Sequence, residues 1–367
     1  MPMVRAMRLL NAVEAGTLSG PQLEALLVAD PGRLAELNVL LGMRGQSARL
    51  FASSTATAAL IASSTALTAL TGNSAGMKNV ANNPQAMAAV LASSTAMAAV
   101  LASSTAMAAV LASSTAMTAV AASSTAMDAV YASPAAIAAI APTAWGVYGP
   151  HASRLSLSGS NVTQWSDASA NARHFVQTTT SRQPLFNSTS VVNGYNTLTF
   201  VRSSTQVLDT TTSYAMPEDI TAFIVRRKTL DSTYMGLIGT GSANNAGAIA
   251  DSSTVGSVCI DYSGNPASYQ MAVGTVNNAW ELIRVRNTGT TSWAKRNNGA
   301  EATTGANALF GTVSLSIGRM NDSDVNGDMY FEGQIAEIII LGKNAADGDT
   351  EGDRITNLLK TKYALWA

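Results

Sequence analysis

A ten-residue unit repeats nine times without insertion or deletion from Ala52 to Ala141, and it constrains the fold more than any other feature. The clearest copies read Ala-Ser-Ser-Thr-Ala-Met-Ala-Ala-Val-Leu, at 92–101 and again at 102–111. A uniform array of small residues indicates a repeated structural element, in which each unit contacts its neighbours. We therefore predict a stalk, an arm or a regular coat rather than an active site in this region.

The positions of the unit, counted by the last digit of the residue number, predict a short helix. Met97, Val100 and Leu101 have the i, i+3, i+4 spacing of one helical face, and the surrounding alanines favour helix. The third position is always Ser or Asn, which are good N-caps. The fourth is Ser except at Pro84 and Pro134, and proline is tolerated at the first helical position. Each unit therefore predicts a capped helix of about two turns.

One continuous helix is the alternative to this segmented arrangement. Ten residues turn about 1000°, roughly 80° short of three full turns, so the Met/Val face would rotate around a continuous rod. Overwinding to about 3.3 residues per turn keeps that alternative open. A unit this short cannot bury its apolar face alone, so the next unit or another copy of the chain must cover it. The unit at 72–81, with two glycines and Lys78, is expected to mark a bend.

Composition excludes several classes of function. Only 12% of the residues are charged and the net charge is −1, which argues against binding of nucleic acid or an anionic membrane. A single cysteine, Cys259, excludes an internal disulfide framework and is interpreted as a buried, inert thiol. We find no apolar run of the length of a signal peptide or a membrane span, so synthesis in the cytoplasm is expected.

The first fifty residues predict a small α-helical head with three short helices. Its clearest signal is Asp30 followed by Pro31, an N-cap and a first helical residue, with Gly42 as the end of the same helix. Three such helices hardly form an independent core. We therefore expect residues 1–50 to dock on a partner or to trimerise.

The composition changes after Pro142, where alanine gives way to Gly, Asn, Thr and aromatic residues. Short alternating runs separated by turn residues, such as 312–318 and 280–285, predict an antiparallel all-β jelly-roll sandwich over 143–367. The stretch 348–365 predicts a final helix. The fold class is thus multidomain, with a helical head (1–50), a helical decapeptide-repeat shaft (51–142) and a β-sandwich (143–367).

The β region resembles the concanavalin A-like, laminin-G-like sandwich domains. Trp165-Ser-Asp167-Ala-Ser169 resembles their Trp-x-Asp-x-Ser-Gly stretch, although Ala170 stands where the family usually has Gly. The segment 330–340 resembles their penultimate strand and 353–363 their closing helix. The resemblance implies a sandwich fold and only weakly an activity.

The array joined to such a sandwich resembles tailed-bacteriophage fibre or appendage proteins, in which similar Ser-Ser-Thr-Ala-Met-Ala-Ala-Val strings recur. This resemblance implies a virion structural protein, made in the host cytoplasm, whose residues 1–50 bind other virion proteins. By analogy with fibres it implies a homotrimer, and a sandwich that binds a glycan or receptor on the host surface. A purely architectural virion component and a carbohydrate-active enzyme are the alternatives.

No catalytic residues are predicted in the sandwich. The Glu-x-Asp-x-x-Glu signature of related glucanases is absent, and a retaining glycosidase needs two carboxylates about 5 Å apart. The chain has only two histidines, His151 and His174, which argues against a histidine-based triad or a zinc site. We expect His174 to have a structural role. The candidate carboxylates are scattered along the chain at Glu281, Glu301, Glu332 and Glu337.

Two candidate binding sites remain. Trp293, Tyr262 and Tyr269 lie in polar stretches and are candidates for stacking on sugar rings, whereas Trp165 is expected in the core. The stretch 322–328 begins like a calcium loop, with oxygen ligands at alternate positions, although Gly333 stands where the bidentate Glu is expected. A hairpin turn explains the same residues. The candidate calcium ligands are Asp322, Asp324, Asn326 and Asp328.

Overall fold

Two compact units make up the chain, Met1–Ile140 and Ala141–Ala367. The first is α-helical and the second is an antiparallel β-sandwich with one long helix, so the predicted fold class is confirmed. The division of the first unit into a head and a shaft stays a prediction. The computed structural model describes residues 2–230, 234–240, 248–252, 254, 256–261, 270–305, 312–320 and 330–366.

Short helices follow one another through the first unit, with a break at every repeat boundary. The segmented arrangement is therefore confirmed and the continuous rod is wrong. One helix, α4, was missed from the sequence. The bounds are α1 Pro2–Glu14, α2 Gly20–Ala29, α3 Pro31–Gly42, α4 Arg44–Ala52, α5 Ser54–Ile61, α6 Ser64–Thr71, α7 Ser74–Ala81, α8 Pro84–Ala92, α9 Ser94–Ala102, α10 Ser104–Leu111, α11 Ser114–Ala121, α12 Ser124–Ala132 and α13 Pro134–Ile140.

The third residue of each unit caps its helix as predicted. Ser113 Oγ accepts a hydrogen bond from the Ala116 amide at 3.2 Å, and Asn73 Oδ1 accepts one from the Gly76 amide at 2.9 Å. The cap residue itself is extended, with φ −109° and ψ 115° at Ser113, which stops the preceding helix. The chain bends by 104° between α8 and α9 and by 97° between α10 and α11.

Repeated bends of this size stack the helices in layers of three. Helix α7 packs on α4, α8 on α5, α10 on α7, α11 on α8 and α13 on α10. The caps also join the layers, because Ser103 Oγ and Ser113 Oγ donate to the carbonyl oxygens of Thr71 and Ala81, each at 2.7 Å. The repeat region is therefore a three-sided solenoid.

The Met and Val positions of the repeats line the solenoid interior. Met97 and Val100 are almost fully buried and line a small apolar cavity in this interior. Helices α1–α4 pack against the first repeat helices, which buries their apolar faces as well. Neighbouring units of the same chain therefore cover these apolar faces, and the homotrimer stays a prediction.

The unit at 72–81 forms a capped helix like its neighbours. Helix α7 has the same length as α6 and is capped by Asn73 as α6 is capped by Ser63, and the expected bend at this unit stays a prediction. A Cβ atom at position 76 would lie only 3.1 Å from the side chain of Leu70 and 3.3 Å from that of Leu41, and Gly76 avoids these close contacts. The glycine therefore serves close packing within the helical unit.

Among the described residues, no single helix is long and apolar enough to cross a membrane, although two bent pairs of consecutive repeat helices reach the required length together.

The second unit consists of two antiparallel layers. The first contains β5, β6, β1, β19, β9, β14, β15 and β16, and the second β2, β3, β4, β7, β18, β10, β11, β12 and β13. The bounds are β1 Ala144–Tyr148, β2 Leu155–Ser158, β3 Asn161–Trp165, β4 Phe175–Val176, β5 Leu185–Val192, β6 Tyr195–Phe200, β7 Leu208–Thr210, β8 Tyr214–Ala215, β9 Ile220–Lys228, β10 Met235–Thr240, β11 Ala248–Asp251, β12 Ser257–Asp261, β13 Gln270–Ala272, β14 Glu281–Asn287, β15 Thr291–Arg296, β16 Ala302–Gly305, β17 Thr312–Val313, β18 Leu315–Ile317 and β19 Gly333–Leu341.

The core lies between these layers and is built by alternation along the strands. Ile283 and Val285 of β14 share one apolar cluster with Ile317 and Trp165 of the other layer. The stretch 312–318, predicted as one strand, is divided, because β17 pairs with β8 in a separate two-stranded sheet while β18 pairs with β10 and β7. Cys259 is buried, as predicted.

The closing helix α14, Thr350–Tyr363, is tied to β19 by buried polar side chains. Lys362 Nζ and Tyr363 Oη both donate to Glu337 Oε2 at 2.6 Å. Burial, followed by the charge of Glu337, raises the pKa of Tyr363 well above its usual value. His151 Nε2 lies 3.0 Å from the same lysine nitrogen. These contacts fix the C-terminal helix against the sheet.

Candidate functional site

The outward face of β14, β15 and β16 carries a group of charged side chains around one tryptophan. In the register of these strands, Arg286 lies opposite Trp293 and Arg284 lies opposite Lys295. Because Ile283, Val285 and Ala294 point into the core, the alternate side chains point away from it. We call the group Arg284, Arg286, Trp293, Lys295, Glu301 and Asp347 the outer platform.

Arg286 fixes the aromatic part of the outer platform. Its Cζ lies 3.9 Å from the centroid of the Trp293 ring, a cation–π contact. The same guanidinium donates to both carboxylate oxygens of Glu301, at 3.0 and 2.7 Å, and to Asn344 Oδ1 at 2.9 Å. A bidentate pair of this kind holds a guanidinium in one plane, so Trp293, which is partly exposed, has a fixed support.

Asp347 joins the other two cations. Its Oδ1 accepts from Arg284 Nη2 at 2.5 Å and from Lys295 Nζ at 2.6 Å, and Arg284 also donates to Glu301 at 2.7 Å. Hydrogen bonding to Arg286 lowers the pKa of Glu301, and hydrogen bonding to Lys295 lowers that of Asp347. With both acids ionised, three cations face two carboxylates, which leaves the platform net positive.

The structure locates only part of the predicted site. Trp293 lies in the outer platform, and Trp165 lies in the core as expected. Tyr262 and Tyr269 lie outside the described residues, as do the candidate calcium ligands at 322–328. Within the described part of the chain, no cluster of three His, Cys, Asp or Glu side chains could hold a metal ion.

The Trp-x-Asp-x-Ser stretch has an internal structural role. Asp167 Oδ1 accepts from the amides of Val147 and Ser169 at 2.9 and 2.8 Å, and its Oδ2 accepts from Arg173 N at 3.1 Å. His174 Nδ1 accepts from the Asp167 amide at 3.1 Å, in agreement with the structural role expected for that histidine. These bonds shape the turn after β3.

The scattered glutamates each have a partner inside the sandwich. Glu281 binds Arg226 at 2.6 Å, and Arg226 also binds Asp251 of the opposite layer at 2.5 Å, all three fully buried. Glu332 accepts from the Arg202 amide at 2.6 Å. These contacts give the carboxylates structural roles, and the expectation that the chain is not an enzyme stays a prediction.

Sequence reasoning missed the charged part of the outer platform. Arg284 and Arg286 were visible on one face of a predicted strand, and Lys295 follows Trp293 by two positions, so alternation places all four on adjacent strands. Asp347 lies in the turn region after β19, and only the tertiary fold brings it to Lys295.

No protein-family model matches the sequence, and no curated protein matches it. The structure is similar to the CBM40 domain of the Ruminococcus gnavus IT-sialidase bound to α2,3-sialyllactose, with 14% identity and a TM-score of 0.30 over 38% of this chain and 83% of that chain. It is also similar to domain 4 of AbnA, a GH43 extracellular arabinanase from Geobacillus stearothermophilus in complex with arabinotriose. That match has 12% identity and a TM-score of 0.41 over 58% of this chain and 98% of that chain.

A third similar structure concerns botulinum neurotoxin type C, whose cell entry depends on interaction with two ganglioside molecules. The identity is 10% and the TM-score 0.42, over 60% of this chain and 53% of that chain. This chain therefore spans about half the length of that structure. Identities and TM-scores this low concern architecture and carry no information about a ligand.

Proposed function

We propose that the chain is a two-part structural protein, in which the helical solenoid is a spacer and the β-sandwich binds a glycan through the outer platform. The observation that carries this proposal is the partly exposed indole of Trp293, supported by Arg286 and bordered by ionised hydrogen-bonding groups. An apolar ring face with a few fixed polar groups is the combination that orients a small ligand. A sugar offers both an apolar face and hydroxyl groups to such a site.

A glycan array tests this proposal. We expect the full chain to bind at least one polysaccharide, and Trp293→Ala to weaken that binding about tenfold or more, since aromatic anchors dominate binding energy. Trp366→Ala is the matched control, because Trp366 is also partly exposed and has Lys360 Nζ 5.6 Å from its ring. Absence of binding to every polysaccharide, or equal losses in both variants, would contradict the proposal.

For the biological setting, we infer a bacteriophage virion protein, a fibre or decoration anchored through residues 1–50 and assembled as a homotrimer. The resemblance of the repeat strings to phage appendage proteins supports this inference. Among the described residues of the helical unit, the large apolar side chains that remain exposed all lie in α1–α3, which suits a docking surface there: Met3, Val4, Val28 and Val39.

Mass spectrometry and immunogold labelling of purified particles test the virion setting, with light scattering for the trimer. We expect to find the chain in the particle. Antibodies against the sandwich should label the particle, whereas antibodies against residues 1–50 should not reach their target. Absence of the chain from particles would contradict the virion role and would not affect the glycan proposal.

A purely architectural role is the second candidate, because the charged groups of the outer platform already pair with one another. In that case, the platform is an ordered surface that contacts other subunits. Particle assembly that depends on Trp293, without glycan binding, distinguishes this role. Release of sugar from a bound polysaccharide would favour an enzyme instead.

A further inference from the structure

The cations of the outer platform are covered by a carboxylate that is itself largely exposed. The side chain of Arg284 is 2% exposed and that of Lys295 is 11% exposed, whereas the side chain of Asp347, which binds both, is 60% exposed. Asp347 therefore occupies, from the solvent side, the position where an anion would meet these two cations.

The exposed contact of Asp347 is one that a ligand can replace. A single oxygen, Oδ1, accepts from both cations, and ion pairs made by solvent-exposed groups contribute little to stability. Arg284 Nε is buried and has no hydrogen-bond partner within the described structure, so the guanidinium retains an unused donor. Charge-assisted hydrogen bonds to a bound anion are stronger than those to a neutral hydroxyl.

The geometry fits a sugar that carries an acidic group. Trp293 and Lys295 lie two positions apart on β15 and face the same way, which separates them by about 7 Å along the strand. We propose that the glycan is an anionic sugar, whose carboxylate or sulfate replaces Asp347 on Lys295 and Arg284 while its ring lies against Trp293. This inference rests on the proposed function and adds the chemical class of the ligand.

Three polymers with one backbone test the charge requirement: dextran, carboxymethyl-dextran and dextran sulfate, spotted beside bacterial polysaccharides with and without uronic acids. We expect anionic members to bind the full chain about tenfold more tightly than neutral members, because one charge-assisted contact is worth about that factor. Lys295→Ala should lower the affinity for anionic polymers about tenfold more than the affinity for neutral polymers. Asp347→Asn should raise the affinity for anionic polymers.

Lys360→Ala is the control for non-specific attraction, since Lys360 lies beside Trp366 as Lys295 lies near Trp293. Lys295→Arg keeps the charge and should retain the anionic preference, and circular dichroism checks that each variant is folded. Equal losses in Lys295→Ala and Lys360→Ala overturn the anionic ligand. An unchanged ratio of anionic to neutral binding in the Lys295 and Asp347 variants, with Trp293→Ala still defective, overturns it while the glycan proposal stands. Absence of all binding overturns both.

Discussion

At the scale of single residues, some cap side chains of the repeat accept one hydrogen bond and donate another. Asn83 Oδ1 accepts from the Ala86 amide while Asn83 Nδ2 donates to the Phe51 carbonyl, each at 3.0 Å, and Ser113 does both through one hydroxyl. Asp caps a helix as well as Ser does, but an ionised Asp cannot donate. At Asn83, Ser103 and Ser113, this double role suits Asn and Ser but not an ionised Asp.

Removal of one such hydroxyl should destabilise the helical unit. Ser113→Ala loses both the cap and the bond to the Ala81 carbonyl, and we expect a loss of about 2 kcal/mol in the free energy of unfolding. Ser114→Ala, at the neighbouring exposed position, should change it by less than about 0.5 kcal/mol. Denaturant titration followed by circular dichroism measures both, and equal effects would contradict the double role.

Glu24 should make the helical unit sensitive to acid. Its carboxylate lies at the N-terminus of α6 and accepts from Ser63, Ser64 and Thr65, and the bond from Ser63 contributes most to a pKa lowered from 4.5 to about 2. A lowered carboxylate pKa stabilises the fold above about pH 4.5, and this contribution is lost as the pH falls toward 2.

In Glu24→Gln that loss should disappear. The melting temperature of the variant should be lower than that of the parent chain at neutral pH, but it should fall less steeply between pH 4.5 and 2. Melting temperature against pH measures the slope. Gln85→Ala, which changes an exposed residue of the helical unit that does not titrate, should leave the slope of the parent chain, and a parallel course for Glu24→Gln would refute the effect.

At the scale of elements, helix α14 is held by a buried charge pair rather than by apolar contacts alone. Lys362 and Glu337 are both fully buried, and their nitrogen and oxygen lie 2.6 Å apart. A buried pair contributes little net stability compared with apolar residues, but removal of one partner leaves an uncompensated charge. The pair therefore fixes where the helix docks on β19.

Lys362→Met should cost about 3–5 kcal/mol in unfolding free energy, because Glu337 then loses its buried counter-charge. The double variant Lys362→Met with Glu337→Leu should recover most of that loss. Lys360→Ala, which leaves the pair intact, is the control. Chemical denaturation measures all three, and a double variant no more stable than the single one would contradict this account.

Local signals predicted these elements well, and long-range contacts account for what was missed. Asp30, Pro31 and Gly42 mark the start and end of α3 as predicted, because capping is decided within a few residues. The layers of three helices were not predicted. The ten-residue period indicates that the apolar face of each repeat helix must be covered, but it does not indicate which unit covers it. In the same way, alternation predicts that Trp293 and Lys295 share a face, whereas Asp347 reaches them only through the fold.

At the scale of the whole molecule, the layered solenoid makes the repeat region compact. Nine units in one continuous helix would extend roughly 135 Å, whereas three layers at the usual 8–10 Å spacing between helices extend about 30 Å. As a spacer, the region is therefore thick and short. Each layer rests on the one before it, so its cooperativity depends on the register of the ten positions.

Deletion of one whole unit should be tolerated and deletion of half a unit should not. Removal of 92–101 restores the same ten positions against a layer three units earlier, so we expect one cooperative melting transition and a proportionate loss of helix signal. Removal of 92–96 shifts the register by five, which places Thr105 in the buried position of Val100 and Met97 in the exposed position of Ala92. We expect that variant to lose cooperative melting of the helical unit, as followed by circular dichroism at 222 nm.

The three-unit stacking also bears on how such a gene can change. A ten-residue unit is encoded by a whole number of codons, and nearly identical units in tandem are prone to slippage during replication. Because the helix of each unit packs on the helix three units before it, an added or lost copy changes the length in steps without creating a new surface. Natural variants that differ by whole units are therefore expected to fold, and length becomes a trait that selection can adjust.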